Sequence, residues 1–241
     1  MTAERHQLRV HKFGRMIDVQ AATPTDIWTY GGVYTYMTSA STMYASSDDT
    51  NDAVTITVEG LDGDYMLQKE SVVIAGFTFV ELTNTYLRVF RAYVTGATAP
   101  AGNLYISDDN TDTDGGADGI PDTVTNIKAQ IEAGTNQTLM ALYTTPADFR
   151  RYELHEWSTS ISSDGSNAAA RGGRIELRTR SEGGVFQVKD MVEAHSHGGL
   201  SVMRYHFPRT IEPKTDITVF SASVSKDDAN VTGTFDIVGW N

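Results

Sequence analysis

The residue types best suited to chemistry are crowded into one acidic segment, DDNTDTDGGADGIPD, at residues 108–122. Counted from Asn110, oxygen-bearing side chains stand at positions 1, 3, 5 and 9 and a glycine stands at position 6, as in an EF-type calcium loop. Carboxylate and amide oxygens are the ligands that calcium prefers. The sequence therefore offers a candidate calcium site with these ligands: Asn110, Asp112, Asp114, Asp118 and Asp122.

The end of this segment departs from the EF pattern. Position 12, which needs a bidentate carboxylate, is Pro121, and Asp122 follows one residue late. The tail DGIPD resembles the DGxPD segments of thrombospondin type 3-like calcium repeats, of which the chain has a single copy. Two roles stay open: a calcium-stabilised loop and an acidic solvated loop. The all-oxygen ligand set lacks the mixture found in hydrolytic metal centres, so we expect no catalytic metal.

Other catalytic arrangements are missing from the sequence. The chain has no cysteine, which excludes thiol nucleophiles, thiolate metal sites and disulfides. Neither a Gly-x-Ser-x-Gly motif nor a glycine-rich phosphate loop occurs. His195 and His197 would share a strand face, with His206 on a neighbouring strand, but the surrounding HSHGG is typical of a turn. We therefore predict that the protein is not an enzyme.

Three arginines have the spacing of a single strand face. Arg174, Arg178 and Arg180 alternate with Ile175, Leu177 and Thr179 in RIELRTR. Because side chains on a strand alternate between its two faces, these arginines would point together away from the core. They are the candidate interface residues, on a face that is either solvated or in contact with another subunit.

The elements that position these residues are predicted to be β-strands. Most apolar stretches alternate with period two, are rich in Val, Ile, Thr, Tyr and Phe, and are separated by Gly, Asp, Asn and Ser. We predict an all-β protein with little or no helix, in which 127–131 and 139–143 form a hairpin. The clearest strand patterns are 54–58, 86–94, 174–180, 201–207, 216–220 and 231–240.

The length and the charge distribution suggest how these strands are organised. We predict two antiparallel β-sandwich domains of jelly-roll type, because a chain of 241 residues has room for two such cores. The predicted organisation is a basic N-terminal arm at 1–15, a sandwich at 16–107, an acidic connecting loop at 108–122 and a second sandwich at 123–241. A single sandwich with a long loop is the alternative.

Charge and hydropathy also limit the partners. The net charge is -12, and residues 48–122 hold fourteen acidic against three basic residues. Such an acidic stretch would repel phosphates, so a nucleic-acid partner is not expected. No run approaches the ~20 apolar residues that cross a bilayer, and the N-terminus lacks the apolar core of a secretory signal. We expect no membrane partner.

Three longer phrases resemble a family of proteins. They are NDAVTITVEGLDGDY at 51–65, TYLRVFRAYV at 85–94 and IEAGTNQTLMALYTTP at 131–146. Together they resemble uncharacterised virion structural proteins of tailed bacteriophages, many of them marine, and the similarity runs from about Lys12 to the C-terminus. The similarity is one of strand and turn phrasing, so it implies a role in a particle and no active-site residues.

The resemblance implies a non-enzymatic virion protein that is assembled in the host bacterial cytoplasm. A capsid decoration or cement protein that bridges capsid subunits is the first hypothesis, and a neck or tail ring protein of the same virion is the alternative. The implied partners are further copies of the chain, in a trimer or ring, and the major capsid protein or the neck and tail proteins. A β-sandwich module that binds carbohydrate or a receptor is the hypothesis from a different class.

Overall fold

The computed structural model describes residues 7–113, 117–163, 171–197 and 199–241, and this part of the chain is almost entirely β-structure. The all-β prediction is confirmed. One 3-10 helix, Val124–Asn126, lies between β8 and β9. The strands are β1 (Gln7–Val19), β2 (Thr25–Asp26), β3 (Ser41–Ser47), β4 (Thr55–Leu61), β5 (Leu67–Val73), β6 (Val80–Tyr86), β7 (Arg88–Val94), β8 (Leu104–Ser107), β9 (Ile127–Ile131), β10 (Leu142–Thr144), β11 (Arg151–Ser163), β12 (Gly172–Ser181), β13 (Gln187–His195), β14 (Ser201–Ile211), β15 (Thr215–Val224) and β16 (Ala229–Trp240).

The chain divides into two compact units, and one of them is discontinuous in sequence. Unit 1 comprises Met1–Val33 and Met140–Asn241, and unit 2 is Tyr34–Leu139. These units differ from the division at 16–107 and 123–241 that the sequence suggested. The acidic segment lies inside unit 2, between β8 and β9. The polar composition of this segment indicates a surface loop, but it does not indicate a domain boundary. Loops within a domain carry the same polar residues as the connections between domains.

Unit 1 is an eight-stranded jelly roll. One sheet has the order β1-β16-β11-β14 and the other has β10-β15-β12-β13, with every neighbouring pair antiparallel. If these eight strands are lettered B to I along the chain, the two sheets read BIDG and CHEF, which is the double Greek key of the jelly roll. Strands β13 and β14 are therefore edge strands, one in each sheet.

The strand that starts the second sheet is built from two distant pieces of sequence. Both β2 and β10 pair with β15, through Asp26↔Phe220 and Leu142↔Thr218. Between them, the Ala141 amide donates to the Ile27 carbonyl at 2.9 Å. The segment that contains unit 2 is therefore an insertion between Ile27 and Ala141, and it interrupts one strand of the jelly roll.

Residues 7–15 of the predicted basic N-terminal arm are part of this jelly roll. Strand β1 pairs with β16 from Gln7↔Trp240 to Val19↔Ala229. Residues 1–6 lie outside the described part of the chain. The basic side chains of β1 made the segment look like a solvated arm, yet Gly14 on its inner face lies against the backbone of Ile27 and Ala141.

The core of unit 1 follows from the period-two pattern of its long strands. Along β16, residues alternate without exception between buried and half-buried from Ala229 to Trp240. The inward side chains include Phe235 and Ile237, which are packed with Trp157 of β11 in the interior. Burying large aromatic and aliphatic side chains of this kind stabilises each by about 1.5–3 kcal/mol.

Unit 2 is a smaller antiparallel sandwich. Its sheets have the orders β6-β3-β8-β9 and β5-β4-β7. The predicted hairpin between 127–131 and 139–143 is wrong, because β9 pairs with β8 of unit 2, whereas β10 pairs with β15 of unit 1. Both segments have strand patterns, but period-two alternation does not reveal which strand is the partner.

Candidate functional site

The acidic segment forms a loop whose carboxylates accept hydrogen bonds from its own backbone. Asp112 Oδ2 accepts from the amides of Asp118 and Gly119 at 3.0 and 2.8 Å. Asp122 accepts from the Thr113 amide at 2.9 Å and from the Thr113 hydroxyl at 2.9 Å. Two of the predicted calcium ligands therefore also hold together the backbone on the two sides of the loop.

The loop is anchored to unit 2 through Gly119. The Ser46 hydroxyl donates to the Gly119 carbonyl at 2.7 Å. Gly119 has a φ of +77°, and a Cβ at this position would lie 1.9 Å from the Ser47 carbonyl oxygen. Only glycine combines this backbone conformation with so close an approach. The acidic segment is therefore packed against β3 of the sandwich at Gly119.

The start of the loop carries a buried ion pair. Lys128 is 2% exposed, and its ammonium lies 3.3 Å from Asp108 and donates to the Thr125 carbonyl at 2.7 Å. Burial lowers the pKa of Lys128, and the negative charge of Asp108 opposes that shift. The hydrogen bond from Thr111 holds the pKa of Asp109 below its ordinary value. These contacts fix where β8 leaves the sheet and where β9 begins.

Of the predicted calcium ligands that the structure describes, Asp112, Asp118 and Asp122 do not form a group that could hold a metal ion. Within residues 7–113, 117–163, 171–197 and 199–241, no three carboxylate or imidazole groups lie close enough together to hold a metal ion. This statement covers Asp112, Asp118, Asp122 and the histidines of β13 and β14, but Asp114 lies outside the described residues. Asn110 is exposed on the loop. Calcium binding stays a prediction from the sequence.

The three candidate interface arginines lie on one face of β12, and each has an acidic partner within the chain. Arg174 and Arg178 contact Glu176 at 2.9 and 2.6 Å, and Arg180 contacts Asp216 at 2.6 Å. Glu176 and Asp216 are buried. The face is therefore a network of ion pairs within the chain, with three guanidinium groups and two carboxylates, and a contact of these arginines with another subunit stays a prediction.

Aromatic rings fix two of these guanidinium groups further. Arg178 lies over Phe220 at 3.6 Å from the ring centroid, and Arg180 lies over Phe186 at 4.6 Å. Stacking of this kind adds about 0.5–2 kcal/mol and restrains the side chain. The pairing of Arg180 with Asp216 joins β12 to β15 and needs the register of the folded sheet, so the sequence pattern could not supply it.

The largest concentration of exposed apolar side chains lies on β13, β14 and their flanks. Fourteen large apolar side chains are exposed in the described residues, and seven of them lie between residues 185 and 207. We call these seven the β13–β14 surface. A concentration of exposed apolar side chains on edge strands is unusual on a soluble monomer and marks a contact with another molecule. The members are Val185, Val188, Met191, Leu200, Val202, Met203 and Phe207.

Strand β14 presents these side chains through an irregular stretch. Leu154 of β11 faces Arg209 and Glu156 faces Arg204, so four residues of β14 lie opposite a single residue of β11. Phe207 stands in this stretch and is 81% exposed. Pro208 follows it and cannot donate a backbone hydrogen bond, which disfavours pairing of β14 with a further strand. Its apolar side chains are therefore available for side-chain contacts.

A half-buried network supports the two edge strands and reaches the core at Trp157. Asp190 of β13 accepts hydrogen bonds from the Tyr205 hydroxyl at 2.8 Å and from Trp157 Nε1 at 3.4 Å. Burial raises the pKa of Tyr205, and the hydrogen bond to Asp190 raises it further. Arg209 lies over the Tyr205 ring at 4.7 Å. The position of β14 is thus tied to the core.

Sequence reasoning predicted the strand at 201–207 but missed its exposure. The segment SVMRYHFPR has the residue types of a half-buried strand, and its apolar residues are what a core strand would contain. One signal was present, since proline within a strand run indicates an edge. Pro208 could have identified β14 as the last strand of its sheet.

Comparisons with known proteins do not identify the chain. No family model matches it, and no curated protein matches it. Solved structures that it resembles include the PBSX exported protein XepA, at 12% identity over 97% of this chain and 86% of that one, with a TM-score of 0.21. Others are the Gt strain of infectious bursal disease virus, at 9% identity over 98% and 77% with a TM-score of 0.22, and the VP2 subviral particle of infectious bursal disease virus, at 11% identity over 100% and 73% with a TM-score of 0.21. Likenesses at these TM-scores carry no argument. Among the described residues, none forms a helix that could span a bilayer.

Proposed function

We propose that the protein is a non-enzymatic structural component of a tailed-bacteriophage virion. The observation that carries the proposal is the β13–β14 surface, in which seven of the fourteen exposed large apolar side chains of the described residues lie on one pair of edge strands and their flanks. A surface of this kind needs a protein partner to cover it. The phrases at 51–65, 85–94 and 131–146 supply the virion context.

The jelly roll is compatible with this role but does not decide it. The same architecture serves in viral capsids and in lectins, and a fold alone does not specify a function. The exposed edge strands support a role in protein contacts, because they offer aromatic and aliphatic anchors to a protein. Side chains of the size of Phe207 and Met203 are typical of the residues that dominate protein interfaces.

The finer proposal is a capsid decoration protein that bridges subunits of the shell. The two units differ strongly in charge: unit 2 holds fifteen acidic and four basic residues, whereas unit 1 holds sixteen and fifteen. An approach through the nearly neutral unit 1 would avoid repulsion between unit 2 and an acidic shell. The partners are the major capsid protein and further copies of the chain, in a trimer or ring. A neck or tail ring protein is the alternative.

The test uses substitutions on the β13–β14 surface. We expect Phe207→Ser combined with Met203→Ser to abolish co-sedimentation of the chain with particles that lack it, because the change removes two exposed apolar anchors of the β13–β14 surface. Val33→Ser is the matched control, since Val33 is also exposed in unit 1 but lies outside this surface. Thermal unfolding must show that both variants fold as the wild type does.

Localisation in the particle separates the alternatives. Gold-labelled antibody on the purified virion should mark the shell for a decoration protein and the neck or tail for a ring protein. Absence of the chain from purified virions by mass spectrometry would refute the whole proposal. Unchanged particle binding by the double variant would refute the role of the β13–β14 surface.

A further inference from the structure

A cleft opens between the two sheets of unit 1, on the side of the jelly roll where β13 and β14 are the edge strands. Its volume is about 420 Å³, within the range of small-ligand sites. The floor consists of Leu154, Ile211, Thr179 and Thr215, which are buried. The floor therefore combines an aliphatic patch with two threonine side chains.

Two cations stand at the rim of this cleft, one from each sheet. Lys189 belongs to β13 and Arg209 to β14, and Arg209 Nη1 donates to the Lys189 carbonyl at 3.0 Å. The Lys189 ammonium donates to Gln187 at 2.8 Å, and no carboxylate among the described residues pairs with it. The carboxylate paired with Arg209, Asp190, is 3.9 Å away. Among the described residues, Lys189 is thus a rim cation without a carboxylate partner, and Glu212 contributes one carboxylate to the lining.

The rim cation on β14 is held in place before any ligand arrives. Arg209 lies over the Tyr205 ring, and the Tyr205 hydroxyl is bonded to Asp190. Asp190 also accepts a hydrogen bond from Trp157 in the core. A side chain restrained in this way loses little conformational freedom when it binds, which is the property of a preorganised site.

The remaining rim groups are suited to ligand hydroxyls. Ser181 and Thr210 can donate and accept hydrogen bonds, and Glu212 can accept them. An aliphatic floor, several hydroxyl partners and two cations together match a sugar ring that carries a carboxylate. The ring would sit above this floor, and the carboxylate would meet Lys189 and Arg209.

We propose that this cleft binds an acidic saccharide, with Lys189 and Arg209 as the carboxylate-binding residues. The inference goes beyond the proposed virion role and does not depend on it. A single uronic acid has few atoms, so the ligand efficiency of small ligands implies a Kd of about 1 mM. Charge-assisted hydrogen bonds account for much of that affinity, so loss of one cation should weaken binding about tenfold or more.

Calorimetric titration of the full chain with three small ligands tests the chemistry. We expect glucuronate to bind near 1 mM, glucose to bind at least tenfold more weakly, and sulfate to give no heat at the same concentration. Equal binding of sulfate and glucuronate would identify a simple anion site and overturn the saccharide. Equal binding of glucose would overturn the role of the cations. No heat from glucuronate at 20-fold the expected Kd, roughly 20 mM, would overturn the site itself.

Variants then test the location. Lys189→Met should weaken glucuronate binding about tenfold, whereas Lys69→Met removes an exposed lysine of unit 2 and should leave it unchanged. Ser181→Tyr fills the cleft from an exposed position and should abolish binding while the chain stays folded. Wild-type affinity in both cleft variants would place the bound saccharide elsewhere and refute the proposal.

Discussion

Replacement of Gly14 by alanine is the sharpest test of the jelly roll, because Gly14 lies where the two halves of a split strand meet. A Cβ on Gly14 would stand 2.3 Å from the Ala141 nitrogen and 2.3 Å from the Ile27 oxygen. These two atoms form the 2.9 Å hydrogen bond that joins the strand pieces on either side of unit 2. The added methyl group would therefore wedge between a donor and its acceptor.

The cost can be estimated from two effects. Overpacking against backbone atoms costs about 1–3 kcal/mol, and such atoms cannot rotate away as a side chain can. A buried amide that loses its partner costs about 1–3 kcal/mol more. We expect Gly14→Ala to lower the free energy of unfolding by about 4 kcal/mol. For a domain of this size, that corresponds to a fall in melting temperature of roughly 8–16 °C.

Tryptophan fluorescence during denaturant unfolding is the appropriate assay. All three tryptophans, Trp28, Trp157 and Trp240, belong to unit 1, so the signal follows the jelly roll without a contribution from unit 2. Arg15→Ala is the matched control, because Arg15 is the next residue of β1 and is exposed. It should change stability by less than about 0.5 kcal/mol.

The comparison between the two variants decides between a strand and a free arm. If residues 1–15 formed a solvated arm, both substitutions would be nearly neutral. An unfolding free energy for Gly14→Ala within about 1 kcal/mol of that of Arg15→Ala would contradict the pairing of β1 and the close approach of Gly14 to Ile27 and Ala141.

Three further predictions concern unit 2. Asp52→Ala should destabilise the chain by about 3 kcal/mol, because Asp52 accepts hydrogen bonds from Ser47 and from the amides of Ala101 and Gly102. Thermal melts followed by circular dichroism measure this effect. A destabilisation no larger than that of Asp64→Ala, at an exposed position, would contradict the prediction. Lys128→Met should cost about 2 kcal/mol at pH 7, since Asp108 loses its ion-pair partner. The pKa of Lys128 is lowered on folding, so the unfolded chain binds more protons than the folded chain between that pKa and about 10.4. The stability advantage of the wild type over Lys128→Met should therefore widen as pH rises through this window. A stability difference that does not change with pH would contradict a lowered pKa of Lys128. If the acidic loop binds calcium, calcium at a hundredfold excess over the Kd should stabilise the chain by about 2.7 kcal/mol, and a chelator should reverse the effect. An unchanged melting temperature would show that the segment is a solvated loop.

Local sequence patterns predicted where the strands lie, but they did not predict which strands pair with each other. The alternation at 54–58 and 86–94 corresponds to β4 and β7, and the alternation at 231–240 corresponds to β16. Strand type depends on neighbours two residues apart, which the sequence displays directly. The partner of a strand depends on residues far along the chain. The pairs β1 with β16 and β2 with β15 join the two ends of the chain, and no local signal encodes them.

Contacts within the acidic segment could not be predicted from the sequence for a related reason. Candidate calcium ligands follow from residue type and spacing, but the hydrogen bonds that Asp112 and Asp122 accept from backbone amides of their own loop depend on the folded conformation. The exposure of Phe207 depends on the absence of a strand beyond β14 within unit 1 among the described residues, and an aromatic residue in a strand pattern predicts the opposite. Exposure is a property of the sheet order, so it is known only when the topology is known.

The two proposals share the edge strands of unit 1 but can be separated by single substitutions. Phe207 is 81% exposed on the irregular stretch of β14, whereas Ser181 stands at the rim of the cleft. Asp190 connects the two regions, since it holds Tyr205 of β14 and lies near Arg209 of the rim. Removal of the Asp190 carboxylate would therefore disturb both particle binding and saccharide binding, and could not distinguish them. Phe207→Ser should weaken only particle binding, and Ser181→Tyr should weaken only saccharide binding. If either substitution abolished both kinds of binding, the edge strands would form a single binding surface.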